Sequence, residues 1–145
     1  MKLAIMCGLP RSGKSTFINE NLKHYQIICK DDIRLALGFV YNQDLEDIVE
    51  VITNALIKAS LIRALDTVID ETNTTQSRRK KLINMGKEYN AEMTLYFVKT
   101  SYEACKERAK KYGFPLAVIT RMKQNLENEP PSEDEGISII EVKHD

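Results

Sequence analysis

The stretch GLPRSGKST at residues 8–16 decides the fold of this chain. Its glycines, lysine and serine occupy every fixed position of the pattern G-x-x-x-x-G-K-[ST]. The apolar run LAIMC at 3–7 comes directly before it, and a segment of helical composition starts at Lys14. This order of strand, glycine-rich turn and helix predicts a P-loop, whose inward-facing N–H groups and helix start bind phosphate. The alternative is a glycine turn that caps a helix by chance.

The chemistry of the loop residues predicts ATP and Mg²⁺ as ligands, although the sequence does not distinguish ATP from GTP. Lys14 can place a positive charge beside the β- and γ-phosphates, and Ser15 can offer its hydroxyl group to Mg²⁺. The expected nucleotide contacts cover the whole loop: Gly8, Leu9, Pro10, Arg11, Ser12, Gly13, Lys14, Ser15 and Thr16.

The length of 145 residues suits one domain, residues 1–145, with a single core. No apolar run reaches the roughly 18–20 residues of a membrane span. The apolar N-terminus runs into the P-loop without a cleavage-like segment. The cysteines at 7, 29 and 105 lack the spacing of a metal site or a disulfide framework. We therefore expect a cytoplasmic protein without membrane contact.

The formal net charge of zero is unevenly distributed along the chain. Residues 1–74 carry eight Lys/Arg and ten Asp/Glu, whereas residues 75–125 carry twelve Lys/Arg and four Asp/Glu. Residues 126–145 carry one lysine and seven acids. The basic middle segment suits an anionic ligand such as a nucleotide or a nucleic acid. The alternative is a set of solvated helix faces.

Alternation of strand-like and helix-like segments predicts the fold class. It is an α/β fold of three layers (αβα), the P-loop NTPase/kinase fold, with a mainly parallel five-stranded sheet and a helical lid. The expected strands cover 3–7, 25–29, 67–70, 92–99 and 137–142, the last at a sheet edge. The expected helices cover 14–22, 32–39, 45–65, 75–89, 102–112 and 115–127.

Two further segments complete this organisation. The basic lid, at about residues 102–115, could neutralise charge on a transferring phosphoryl group through Arg108, Lys110 and Lys111; the alternative is a solvent-facing helix. The acidic loop 127–136 could mimic a charged ligand of the basic segment, although a solvated loop is the simpler interpretation.

The stretch KDDIR at 30–34 follows the second strand and predicts an acceptor site. Asp31 or Asp32 could accept the proton of an attacking hydroxyl group, or could simply cap the helix. Arg34 lies three residues after Asp31 on the same helix face and could hold an acceptor phosphate with two hydrogen bonds. A hydroxyl activator beside a phosphate clamp indicates an acceptor that is itself phosphorylated.

The stretch IDETN at 69–73 follows the third strand. Asp70 or Glu71 could hold the water shell of the metal ion. Thr72 and Asn73 could contact the substrate, or could serve only as turn residues. Because parallel strands end at one edge of the sheet, we expect the three stretches to converge there.

The set GLPRSGKST, KDDIR, IDETN and a basic Arg-bearing lid resembles the kinase domain of the phage 5′-polynucleotide kinase family over about residues 2–128. The resemblance implies that Asp31 is the general base, that Arg34 contacts the 3′-side phosphate of the acceptor and that Arg108 contacts the donor phosphates. Glu71 stands where that family has aspartate. The D-x-D-G-T motif of the phosphatase domain in larger members is absent.

Three functions remain open at this point. The first is a polynucleotide 5′-hydroxyl kinase, with the 5′-OH end of DNA or RNA as acceptor; the second is a kinase for a sugar, nucleoside or antibiotic hydroxyl group. The third is a nucleotide-binding module without catalysis. A GTPase switch is disfavoured because no Asn-Lys-x-Asp motif is present, and an AAA-type ATPase because such a domain is larger.

Overall fold

The central strand of the sheet is buried on both of its faces, as expected for a parallel sheet between two helical layers. The protein is described by a computed structural model over residues 1–143; the last two residues of the expected domain, 144 and 145, lie outside the described residues. Within that range the strands are β1 (Lys2–Cys7), β2 (Gln26–Ile28), β3 (Thr67–Ile69), β4 (Glu92–Val98) and β5 (Ser138–Val142).

All strand pairs in the described range are parallel, in the order β2-β3-β1-β4-β5. The expected α/β fold is thereby confirmed, and the sheet is wholly rather than mainly parallel. The helices are α1 (Lys14–Asn21), α2 (Lys30–Ala36), α3 (Glu46–Ile62), α4 (Gln76–Glu88), α5 (Tyr102–Lys111) and α6 (Leu116–Asn128), with 3₁₀ turns at Gln43–Leu45 and Glu133–Glu135.

Alternate residues of β1 separate the core into two layers. Leu3 and Ile5 belong to a buried cluster that includes Ile57 of α3 and Leu82 of α4. Ala4 and Met6 belong to a second cluster, on the other face of the sheet, which includes Ile18 of α1 and Leu22 directly after that helix. The side-chain period of two along the strand therefore produces the three αβα layers.

A third apolar cluster joins the lid segment to the P-loop. Cys105 and Ala109 of α5 are fully buried and pack with Leu9 and with Ile119 of α6. The expected lid is therefore a helix packed on the loop through one face, with its lysines on the other. No helix of the described residues is long and apolar enough to cross a membrane.

The acidic loop 127–136 differs from the expectation of a solvated segment. Helix α6 continues into it as far as Asn128, and Ser132 and Glu135 form a capping box at its 3₁₀ turn. Glu135 then accepts a hydrogen bond from Nε of the fully buried Arg79 at 2.9 Å. The loop is a structural part of the domain because one of its acids neutralises a buried guanidinium.

Arg79 completes its hydrogen bonding with two carbonyl groups. Its Nη1 donates to the Asn73 carbonyl at 3.1 Å, and its Nη2 donates to the Glu129 carbonyl at 2.6 Å. Neither interpretation of the basic segment, a ligand-binding surface or solvated helix faces, fits Arg79, because this residue faces inward. It shares a helix face with Leu82 and Ile83, three and four residues further on. That spacing is the feature of the sequence that indicates burial of Arg79.

We predict that Glu135→Ala destabilises the domain by roughly 3–5 kcal/mol, because it leaves the Arg79 guanidinium buried without a counter-ion. Chemical unfolding of both proteins measures this change. The matched control is Asp134→Ala, at the exposed neighbouring position. Equal stability of the two variants would contradict a structural role for the Arg79–Glu135 pair.

Candidate active site

The P-loop is shaped by two glycines. A Cβ atom on Gly8 would lie 2.8 Å from the Ser12 hydroxyl oxygen and 2.9 Å from the Val98 carbonyl oxygen, which leaves no room for a side chain. Gly13 has φ 103°, in the left-handed region, where it precedes the first turn of α1. The chain therefore turns sharply between β1 and α1, and the start of α1 lies at the carboxyl end of the sheet.

Lys14 curls back over the loop. Its ammonium group donates to the carbonyl groups of Gly8 and Leu9, at 3.2 and 2.8 Å. Burial lowers the pKa of Lys14, while the charges of Asp70 and, more weakly, Asp31 act in the opposite direction. The lysine thus lies close enough to both acids to sense their charge.

Ser15 and Asp70 form the pair that suits a magnesium ion. The Ser15 hydroxyl group donates to Oδ2 of Asp70 at 2.9 Å. A hydroxyl and a carboxylate oxygen are the hard ligands that Mg²⁺ prefers, and Mg²⁺ in nucleotide sites needs only one or two of them beside water and phosphate. The described residues contain no cluster of three or more His, Cys, Asp or Glu suited to a metal ion.

Glu71, the other expected metal ligand, is paired with an arginine, and a contact with the metal ion stays a prediction. Both of its oxygens accept hydrogen bonds from Arg78, at distances of 3.0–3.1 Å. Arg78 also binds Glu50 of α3 at 2.7 Å. The contacts therefore place Asp70, rather than Glu71, beside Ser15, and Glu71 orients Arg78.

Glu50 is the centre of this ionic cluster. Burial by itself would raise its pKa, but hydrogen bonds from Lys30, Lys81 and Arg78 outweigh burial and hold the pKa well below its ordinary range. Much of the positive charge at the start of α4 is therefore balanced by a carboxylate of α3.

Thr72 and Asn73 hold the P-loop. The Thr72 carbonyl accepts a hydrogen bond from the Gly8 N–H group at 3.0 Å. The Asn73 side-chain amide is buried and donates to the Met6 carbonyl at 2.7 Å. These contacts support the turn-residue interpretation, whereas a direct substrate contact by either residue stays a prediction.

The KDDIR stretch forms the first turn of α2 and presents an acid beside an arginine. Nη1 of Arg34 donates to Oδ1 of Asp31 at 2.7 Å, and the Asp31 side chain is 82% exposed. Arg34 also makes a two-point contact with Glu46, at 3.1 and 2.5 Å, and hydrogen bonding to Glu46 raises the pKa of the arginine. Asp31 is therefore accessible to an acceptor, and Arg34 is held in a fixed orientation next to it.

The lid contacts the loop through Arg108 and Tyr112. Nη1 of Arg108 donates to the Arg11 carbonyl at 3.0 Å, and the Arg11 guanidinium lies 4.5 Å from the centre of the Tyr112 ring. Arg108 thus contacts the P-loop, and its contact with the donor phosphates stays a prediction. Of the two lysines predicted with it, Lys110 pairs with Glu107 on the same helix at 3.6 Å, and Lys111 is exposed.

Sequence reasoning missed the acidic partners of the basic residues. Glu46 and Glu50 occupy one face of α3, four residues apart, and contact Arg34 and Lys30 of α2, which are also four residues apart. This matched spacing indicates ion pairs only when the two helices are known to pack together.

The parallel sheet, the P-loop and the Ser15–Asp70 pair define a P-loop kinase domain. The chain belongs to the AAA_33 family, described as an AAA domain, whose profile matches residues 3–129. The expectation above concerned an AAA-type ATPase, and it is not overturned by the description of this family, because the findings support a P-loop kinase of the family.

Similar proteins include kinases with several kinds of acceptor. The L-seryl-tRNA(Sec) kinase of Methanococcus maripaludis is 28% identical over 133 residues, which are 86% of this chain and 52% of that protein. This chain therefore spans about half the length of that curated relative.

Solved structures share the fold. A chain of the Pnkp1/Rnl/Hen1 RNA repair complex has a TM-score of 0.79 at 23% identity, over 88% of this chain and 44% of that chain. A gluconokinase from Sinorhizobium meliloti 1021 has a TM-score of 0.65 at 17% identity, over 98% and 82% of the two chains. At these identities the likeness establishes the fold alone.

We predict that Asp70→Asn stabilises the domain at neutral pH while it impairs Mg²⁺-dependent activity. Burial raises the pKa of Asp70, whereas the Ser15 hydrogen bond and Lys14 act against that effect. Because the pKa in the folded state exceeds that of the unfolded chain, the ionised carboxylate costs folding free energy at neutral pH. This cost disappears as the pH falls below about 4. Thermal unfolding should show a higher Tm for the variant at pH 7, and the difference should shrink toward acidic pH.

The control for this variant is Asp44→Asn, at an exposed position. It should show no comparable change of Tm between pH 7 and pH 4. A Tm gap for Asp70→Asn that grows as the pH falls would contradict the assigned environment of the carboxylate.

Proposed function

We propose that this domain is an ATP-dependent polynucleotide 5′-hydroxyl kinase that transfers the γ-phosphate of ATP to the 5′-OH end of DNA or RNA. The observation that carries the proposal is the contact between Asp31 and Arg34, an exposed carboxylate beside an oriented guanidinium at the carboxyl edge of the sheet. Such a pair suits an acceptor that has both a hydroxyl group to activate and a phosphate to hold.

The proposed reaction is an in-line displacement. The 5′-oxygen attacks the γ-phosphorus, the bond from that phosphorus to the β–γ bridging oxygen breaks, and ADP leaves. The hydroxyl proton passes to the Asp31 carboxylate. Lys14 and Arg108 would balance charge on the phosphoryl oxygens. Mg²⁺, held by Ser15 and Asp70, would neutralise the β- and γ-phosphates.

Arg34 has the capacity for a phosphate contact. A guanidinium has five N–H donors, and three of those on Arg34 bind Asp31 and Glu46 within the described residues. Two donors are left for an acceptor phosphate. The same two carboxylates hold the guanidinium in position, so little side-chain entropy is lost on binding.

Tyr41 favours a nucleotide over a sugar as acceptor. Its ring is 60% exposed and lies 5.6 Å from the Arg34 guanidinium, and its hydroxyl group contacts Gln43 at 2.5 Å. An exposed aromatic ring beside a phosphate clamp is the usual means of stacking an unpaired base. A neutral sugar acceptor has no phosphate for Arg34 to hold.

A second candidate has a specific observation in its favour. The relative at 28% identity over 86% of the chain is named as an L-seryl-tRNA(Sec) kinase. A serine hydroxyl group carried on RNA would need the same carboxylate, and an RNA phosphate could occupy Arg34. The two candidates therefore differ in which hydroxyl group lies beside Asp31.

The test is transfer from γ-labelled ATP with Mg²⁺ to a panel of acceptors: 5′-OH DNA and RNA oligonucleotides, a nucleoside 3′-monophosphate, a nucleoside, seryl-tRNA and gluconate. Labelling of the oligonucleotide and the 3′-monophosphate, but not of the nucleoside, supports the proposal. Labelling of seryl-tRNA alone selects the second candidate. Labelling of gluconate alone would refute an acceptor that carries phosphate.

We predict that Asp31→Asn lowers kcat with the 5′-OH oligonucleotide by roughly 10²-fold or more, the range for loss of a positioned general base. Asn keeps the size of the side chain but cannot take the proton. Asp32→Asn, at the next exposed position, is the matched control and should keep most of the activity. Equal losses in the two variants would remove Asp31 from the role of base.

We predict that Arg34→Ala and Tyr41→Ala raise the KM for the oligonucleotide more than they lower kcat. Loss of the Tyr41 stack should cost roughly 1–3 kcal/mol of acceptor binding. Tyr41→Phe keeps the ring and should bind like wild type. Steady-state kinetics with a normal and an abasic 5′ nucleotide isolate the contribution of stacking. Tyr41→Ala should raise the KM only for the acceptor that carries the base. An equal effect on both acceptors would contradict the stacking role.

A further inference from the structure

A row of exposed apolar residues runs along the outward face of α3, with Lys58 exposed beside it. Ile48, Val51 and Ile62 are 46, 68 and 66% exposed, and Ala55 and Ala59, which lie between them, are exposed as well. The opposite face of the helix supplies the buried residues Val49, Thr53, Ile57, Ser60 and Leu61. The row runs for about 21 Å of helix from Ile48 to Ile62. Exposed apolar side chains over this length indicate a surface that another molecule covers.

The spacing within this row is symmetric about Ala55. Ile48 and Ile62 lie seven residues before and after it, and Val51 and Ala59 lie four residues before and after it. Such a row matches itself when two copies of the helix run antiparallel around a two-fold axis. Ala55 then meets its own copy, and Ile48 lies against Ile62 of the second copy. The small side chains at the centre let the helix axes approach to about 8 Å.

The charges at the ends of the helix favour the antiparallel direction. Asp44 and Asp47 are exposed where the helix begins, whereas Lys58 and Arg63 are exposed toward its end. An antiparallel partner brings the acidic start of one helix over the basic end of the other, and it also opposes the two helix dipoles. A parallel partner would superpose like charges.

We propose that this chain pairs with a second copy of itself through the outward face of α3, antiparallel, with Ala55 on the two-fold axis. The inner face of the same helix carries Glu46 and Glu50, which bind Arg34 and Arg78. The interface and the acceptor site therefore use opposite sides of α3. Pairing leaves both acceptor sites accessible, and it does not depend on the identity of the acceptor.

Two kinds of cysteine cross-link test the register, in a Cys29→Ser background because Cys29 is only partly buried. Ala55→Cys should form a disulfide-linked dimer under mild oxidation, since a residue on the two-fold axis meets its copy within bonding distance. Lys80→Cys, exposed on α4, is the matched control and should stay uncross-linked. A mixture of Ile48→Cys and a size-tagged Ile62→Cys should link one to the other in preference to itself.

Sedimentation measures the pairing without cross-links. The wild-type mass should rise with concentration from 16.6 kDa toward twice that value. Ala55→Glu, which sets two carboxylates against each other on the axis, should stay at the single-chain mass with unchanged Tm and kinase activity. A wild-type chain that remains single at all concentrations would overturn the proposal, as would Ala55→Cys linking no better than Lys80→Cys. A dimer that persists in Ala55→Glu would place the interface elsewhere.

Discussion

The hydrogen bond from the Gly8 N–H group to the Thr72 carbonyl joins the two loops on which the site depends. It ties the first turn of the P-loop to the segment after β3, and the buried amide of Asn73 adds a second tie through the Met6 carbonyl. With these loops fixed together, the Ser15 hydroxyl group reaches Asp70. The same segment leads into α4. Arg79 of that helix donates one hydrogen bond to the Asn73 carbonyl and another to Glu135.

Opposite charges in this domain are matched across helices. Glu46, Glu50 and Glu71 neutralise Arg34, Lys30 and Arg78 at the acceptor edge, and Glu135 neutralises Arg79 in the interior. A net charge counted along the sequence therefore overstates the positive potential of residues 75–125. The donors left on the oriented guanidinium groups are few and fixed in direction, which suits contact with a single anionic group more than general attraction to polyanions.

The P-loop and the fold were predictable because both depend on local patterns. Gly8, Gly13, Lys14 and Ser15 stand at fixed spacing, and each expected strand is a short apolar run bounded by turn residues. The positions of Asp31 and Arg34 on one helix turn followed from the same local geometry. The pairing of Glu71 with Arg78 could not be predicted in this way, because the choice between Asp70 and Glu71 as the neighbour of Ser15 depends on which residue Arg78 binds.

By itself, the sequence determined the parallel αβα fold, the phosphate-binding loop and the edge of the sheet at which KDDIR and IDETN lie, since these follow from periodicity and from the conformations that glycine allows. Only the tertiary structure decided which charges pair, that Arg79 is buried, that Glu135 of the acidic loop is its counter-ion and that one face of α3 is left uncovered. The physical reason is that an ion pair or a covered surface joins residues far apart in the chain. Their spacing carries no information until the elements are packed.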